Sequence, residues 1–190
     1  KEKRHIIFLF ITRHHTDKSR EVHHMITPSN VREAALKVEE ENHRFRRFLK
    51  AHADVEELDQ QFLSLHKELF ASYDCSKCRN CCRSYDVSLE NEEISTIAAA
   101  KGLTTDAFCK QFLSDGLLGY EIKKPCPFLC EDGQCEVEFC KPSECAAYPY
   151  TDRPDRMGSL LNIIASAEVC PVVYEMLERL KDTYHFRKQY

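Results

Sequence analysis

The sequence predicts a mainly α-helical protein, with an N-terminal helical hairpin followed by a small irregular α+β cysteine-rich domain bearing a short hairpin and a C-terminal helix. Three observations predict it. Apolar residues recur at helical spacing from Val31 to Leu69 and again from Leu160 to Leu180. Four thiols crowd into the segment Cys75-Ser-Lys-Cys78-Arg-Asn-Cys81-Cys82. Between them and the last helix, residues 116–150 mix short apolar runs with Gly and Pro turn signals. The expected division is an arm over residues 1–26, a helical hairpin over 27–73 and a cysteine-cluster domain over 74–190.

Residues 1–24 are rich in Lys, Arg and His and lack two-faced periodicity, so they read as a disordered arm, an expression remnant or an upstream mis-start rather than as a ligand site. At Thr27-Pro28 the pattern changes, because Pro suits the first turn of a helix behind a Thr cap. Val31, Ala35, Val38, Phe45 and Leu49 then form one stripe, while Arg44, Arg46, Arg47 and Lys50 read as a solvated face balanced by Glu39, Glu40 and Glu41. Asp54 with Glu57 makes a capping box for a second helix carrying Val55, Leu58, Phe62, Leu65 and Leu69. His52 and His66 lie on these helices without a partner at i+4 and read as helix residues, not ligands.

After the thiol cluster, Ser88 is expected to open a third helix ended by Gly102, and Thr104 or Thr105 a short fourth one containing Phe108, Cys109 and Phe112. Leu117–Ile122 reads as a strand. Cys126-Pro-Phe-Leu-Cys130, Asp132-Gly133 and Cys135–Phe139 read as a hairpin with cysteines on both arms. Pro142 begins a helical turn around Cys145, ended by Tyr148-Pro149-Tyr150, and Cys170-Pro171 opens the last amphipathic helix.

Composition excludes several classes. A net charge of −4 lacks the basic excess of a protein made for nucleic acid. No apolar run approaches the roughly 20 residues of a membrane-spanning helix. Ile6–Ile11 is apolar behind basic residues, yet it is shorter than a secretory core and has no small-residue cleavage site. Eleven cysteines would suit a disulfide scaffold, but the number is odd and a chain of 190 residues can hold a core without staples. The expectation is therefore metal chemistry in a reducing cytoplasm.

The spacing C-x2-C-x2-C-C supports that reading. A C-x2-C unit turns two sulfurs towards one ion at about 2.3 Å, and a third Cys two residues on is how bacterial ferredoxins present thiolates to an iron–sulfur cluster. Spacing alone admits both metals, with a lean to a [4Fe–4S] cluster. Adjacent Cys81 and Cys82 are expected to point apart and serve different sites or different irons. The ferredoxin pattern would group Cys75, Cys78 and Cys81 with a distant Cys-Pro such as Cys170-Pro171. Lys77, Arg79 and Arg83 are placed to offset thiolate charge.

Laid out together, the Cys75–Cys82 cluster, Cys126-Pro127-Phe128-Leu129, Asp132-Gly133-Gln134-Cys135, Lys141-Pro142-Ser143-Glu144-Cys145 with Tyr148-Pro149, and Cys170-Pro171 resemble the YkgJ-like cysteine cluster family, described as a zinc- or iron-chelating domain. The resemblance spans residues 75–171 and implies eight ligand cysteines: Cys75, Cys78, Cys81, Cys82, Cys126, Cys135, Cys145 and Cys170. Cys109, Cys130 and Cys140 fall outside the pattern. The basic-Pro step, usually Arg-Pro in the family, is Lys141-Pro142 here, and the residue after the seventh Cys, often Arg, is Ala146. Eight thiolates are twice what one tetrahedral ion takes, so two four-Cys sites or one cluster with spare thiols fit the count.

The resulting functional expectation is a cytoplasmic metal-binding protein, holding an iron–sulfur cluster or zinc in a structural or electron-carrying role. An enzyme using the cluster, methyltransferase- or oxidoreductase-like, is the first alternative, since some flagellin lysine methylases carry a similar cluster. Against it, the chain has no glycine-rich nucleotide fingerprint. A zinc-dependent adaptor, with a protein partner on the N-terminal hairpin, is the second.

Overall fold

The computed structural model describes residues 25–116 and 119–186, so the expectation for residues 1–24 and the first part of the Leu117–Ile122 strand lie outside it. In chain order it runs through α1 (Val31–Lys37), α2 (Glu39–His52), α3 (Val55–Phe70), two single turns α4 (Cys75–Cys78) and α5 (Asn80–Ser84), α6 (Asn91–Ala100), and α7 (Thr105–Phe112). There follow strands β1 (Leu113–Asp115) and β2 (Tyr120–Ile122), a 3-10 turn at Glu138–Cys140, and helices α8 (Ser143–Ala147), α9 (Arg156–Ala167) and α10 (Pro171–Thr183). The protein is mainly helical with one small antiparallel ladder, as its sequence predicts.

Local chemistry sets the helix starts. Asp54 accepts a hydrogen bond from the Glu57 N–H at 3.0 Å, and Thr104 accepts from Ala107 at 3.3 Å, each satisfying an amide that the first turn leaves unpaired. α6 begins two residues later than expected, because the Glu93 carboxylate reaches back to the Glu90 N–H at 3.0 Å and fixes the cap there instead of at Ser88. Gly102 ends that segment at φ 67°, a region an L side chain resists. The first predicted stripe breaks at Val38 (φ −111°, ψ 11°), which separates α1 from α2.

Two apolar cores result. The first collects Phe45 and Leu49 of α2, Leu58, Phe62 and Leu69 of α3, Leu160 and Ile163 of α9, and Val173, Met176 and Leu180 of α10. The apolar stripes of the N-terminal helices are thus taken up by the two C-terminal helices. Asp59 of α3 strengthens the junction by accepting from the Asp155 and Arg156 N–H groups at 2.9 and 2.8 Å, where the N-terminus of α9 favours negative charge. Lys181, fully buried on α10, is held between Glu41 of α2 at 2.9 Å and Glu178 at 2.7 Å.

The second core gathers Val87, Leu89, Ile94, Ile97, Phe108, Leu113, Ile122, Phe128 and Val137 from the middle of the chain. Its ladder pairs Leu113 with Ile122 and Asp115 with Tyr120. The cysteine-bearing hairpin expected at Cys126–Phe139 reduces to one bridge, Leu129 with Cys135, followed by the 3-10 turn. Pro125 and Pro127 explain this: they remove two backbone donors from the incoming arm, so no ladder extends beyond Leu129.

Phe62 is wholly buried in the first core, so Phe62→Ala should cost about 3–5 kcal/mol. Asp54→Ala, which removes only a cap, should cost about 1 kcal/mol. Urea denaturation followed by circular dichroism separates them, and equal losses would contradict the assignment of Phe62 to the centre of that core.

Candidate metal centre

The cysteine turn is built by Asp74, whose carboxylate accepts from the Ser76 N–H at 3.0 Å and starts α4. One helical turn then sets Cys75 and Cys78, at i and i+3, on the same side. Arg79 reverses the chain in the left-handed region (φ 52°, ψ 21°) and leads straight into α5, which carries Cys81 and Cys82. Such a conformation in a non-glycine residue persists only where its surroundings hold it. Here the buried Arg79 guanidinium donates through Nε to the Gly133 carbonyl, and Arg83 Nη1 donates to the Cys78 carbonyl at 2.9 Å. Gly133 itself sits at φ 83°, and a β-carbon there would run into the Ser76 carbonyl oxygen, so that a side chain would overlap backbone.

Other segments close around this turn. The Cys126 N–H donates to the Cys82 carbonyl at 2.9 Å, tying the 126–135 loop to α5. Asn80 donates through Nδ2 to the Val169 carbonyl at 3.1 Å and the Pro28 carbonyl at 2.8 Å, which fixes α5 beside Cys170, the residue capping α10. α8 is held over the opposite end: its first N–H, at Ser143, donates to Glu93 at 2.7 Å, and its Glu144 accepts from the Ser88 N–H at 2.9 Å.

A cavity of about 370 Å³ lies between these segments, and Cys75, Cys78, Cys81, Cys82, Cys126, Cys135, Cys145 and Cys170 all line it. The three cysteines outside the family pattern do not: Cys109 is on α7, Cys130 is exposed, and Cys140 packs against the second core. All eleven are free thiols. Among the described residues no group of three or more His, Cys, Asp or Glu side chains is already arranged to hold a metal ion. The donor chemistry nonetheless fits zinc or an iron–sulfur cluster: eight thiols line one cavity, none committed to a disulfide.

Cys81 and Cys82, expected to point apart, both line the one cavity and stand close enough for each thiol to shift the other. Divergence belongs to extended chain, whereas successive residues of a helical turn are about 100° apart and can share one side. The neighbouring Cys81 thiol, with the nearby Arg79 and Lys141 charges, holds Cys82 down to about 6, while Cys81 is pushed up by Cys82 and by burial. Burial is the main cause that raises Cys145 and Cys170 to about 12, and it raises Cys75, Cys126 and Cys135 as well.

Beneath the effect of burial, the thiols that act on one another fall into two groups. Cys170 feels Cys78 and Cys75, and Cys81 feels Cys170 and Cys78. Cys145 feels Cys126, Cys82 and Cys135, while Cys126 and Cys135 both feel Cys82.

Of the cations expected to offset this charge, Arg79 is in place. Lys77 instead points outward to Asp74 at 3.3 Å. Lys141, the basic residue of the basic-Pro step, acts on Cys75, Cys82, Cys135 and Cys145. Sequence reasoning missed the phenols. Tyr73 lies against Cys78, and Tyr148 lies near Cys170 and Cys81 on the same wall, both raised chiefly by burial. His66 reaches the rim but is engaged with the Thr151 hydroxyl at 2.9 Å.

A helical scaffold that turns eight thiols from four chain segments onto one cavity defines the class, a cysteine-cluster protein. Its family follows from comparison: the model of the CxxCxxCC family, described as "Putative zinc- or iron-chelating domain", matches residues 74–171, more than half of the chain, and the chain belongs to that family. Membership supports metal binding by this domain. No curated protein and no solved structure matches the chain.

Two outcomes follow from the geometry. Gly133→Ala combines a positive φ with backbone overlap, so it should unseat the Arg79 reversal and lower stability by about 1–3 kcal/mol. Gly102→Ala, equally positive in φ but in open space, should cost about 1 kcal/mol or less, and thermal melts of both variants test the contrast. In chelator-treated protein, Cys82 should be the first thiol alkylated by iodoacetamide at neutral pH. Its rate should fall roughly tenfold per unit as pH drops below about 6, because only the thiolate reacts. Peptide mapping that finds Cys145 or Cys170 labelled first would contradict the charge assignment.

Proposed function

We propose that this chain is a metal-binding protein of a reducing cytoplasm, holding an iron–sulfur cluster or zinc through Cys75, Cys78, Cys81, Cys82, Cys126, Cys135, Cys145 and Cys170. The observation carrying this reading is selective convergence: the eight cysteines that follow the family pattern line one cavity, and the three that do not are elsewhere. Eleven unpaired thiols favour a compartment that keeps them reduced. A bound metal would supply the charge that lets several neighbouring buried thiols ionise together.

The role that fits best is structural, with electron transfer added if the metal is an iron–sulfur cluster. The centre joins the start of α10, α8, the 126–135 loop and the α4–α5 turn, which are also tied by hydrogen bonds and by packing on the second core. No helix among the described residues is long and apolar enough to cross a membrane.

Anaerobic purification followed by elemental analysis tests this reading. A brown protein containing iron and acid-labile sulfide identifies a cluster, and a colourless one with stoichiometric zinc identifies the structural ion. Chelation should lower the melting temperature and release the metal, since binding free energy is folding free energy in such sites. A protein that carries no metal and takes up neither zinc nor iron under reducing conditions overturns the proposal.

A further inference from the structure

The two apolar cores divide the thiols between them. Cys170 belongs to the first core, with Tyr73 and Tyr148 packed beside it. Cys126, Cys135 and Cys145 pack against the second. The α4–α5 turn contributes to both sides, because a backbone bond at 2.9 Å fastens Cys82 to Cys126, whereas Asn80, at the other end of α5, is fastened to Val169 next to Cys170.

Resting on the metal-binding reading above, we propose that the cavity holds two separate four-thiolate centres, Cys75, Cys78, Cys81 and Cys170 on the first core and Cys82, Cys126, Cys135 and Cys145 on the second, which abut where Cys81 meets Cys82. Four donors are what a structural zinc or a four-iron cluster takes, so eight cysteines divide without remainder.

Charge explains why two such centres tolerate one another. A zinc ion with four thiolates carries net charge of −2, and two of them side by side repel strongly in a partly dry site. Arg79, at the junction of α4 and α5, and Lys141 both line the cavity and offer positive charge there. Tyr73 and Tyr148 add two phenol groups beside the first set, where Cys170 is the most buried of the thiols. The chain therefore uses one short turn to anchor both centres, and each centre fastens that turn to a different core.

Stoichiometry decides it. The reduced, metal-free full chain is titrated with zinc alone and followed by native mass spectrometry and elemental analysis. The proposal expects two zinc ions per chain, one in Cys170→Ser, one in Cys145→Ser and none in the double variant. Saturation of the unmodified chain at one ion, or complete loss of binding from either single substitution in a variant that still shows native helicity, overturns the two-centre proposal while leaving metal binding intact. If a variant fails to fold, the unmodified titration still decides: uptake through a one-zinc to a two-zinc species supports it, and a stop at one overturns it. Binding of no zinc, in a protein that also carries no iron as purified, overturns both this proposal and the reading beneath it.

Discussion

The seating of the α4–α5 turn on the Gly133 loop is the contact on which the rest depends. Arg79 adopts a left-handed conformation that a residue with a β-carbon does not choose freely. It is kept there by its own guanidinium, which bonds the Gly133 carbonyl from a buried position. Gly133 in turn must lack a side chain, because the Ser76 backbone occupies the space one would need. Without this mutual fit, Cys75 and Cys78 would not face the same cavity as Cys81 and Cys82.

Desolvation gives the cavity its chemical character. Burial raises most of its thiols, so the metal-free site resists accumulating negative charge, and the first thiolate is confined to Cys82, where Arg79 and Lys141 support it. A divalent ion reverses this balance, since coordinated sulfur is deprotonated and the ion's own charge dominates the local field. Metal uptake must therefore release protons. The phenols of Tyr73 and Tyr148 line the same cavity and are themselves raised chiefly by burial.

Much of this was legible in the chain itself, in proportion to how local each signal is. The caps at Asp54 and Thr104, the stop at Gly102 and the Cys170-Pro171 helix start depend on neighbours a few residues away, and they are where local chemistry puts them. The cap of α6 moved because Glu93, not Ser88, supplied the partner. Val55 matched the helical stripe yet is half exposed, being at the first position of α3 before the helix meets the core, while Asn42 is buried on α2 with no signal to announce it. At the site, spacing marked Cys75–Cys82 and the ferredoxin pattern suggested Cys170, but Cys126, Cys135 and Cys145 could be added only through family resemblance. Tyr73, Tyr148 and the bridging position of Lys141 act across the fold, and no local pattern encodes such placement.

The first core is assembled from both sides of a long excursion: α3 ends at Phe70, and its partner α9 begins only at Arg156. During translation, α1 to α3 emerge with their apolar stripes uncovered until the C-terminal helices follow. At ~5–20 residues per second the wait lasts on the order of ten seconds. Throughout it, the nascent chain displays both sticky helices and reduced sulfur to the surrounding cell. Chaperone contact and protection from premature oxidation thus become demands of synthesis that the finished molecule no longer makes.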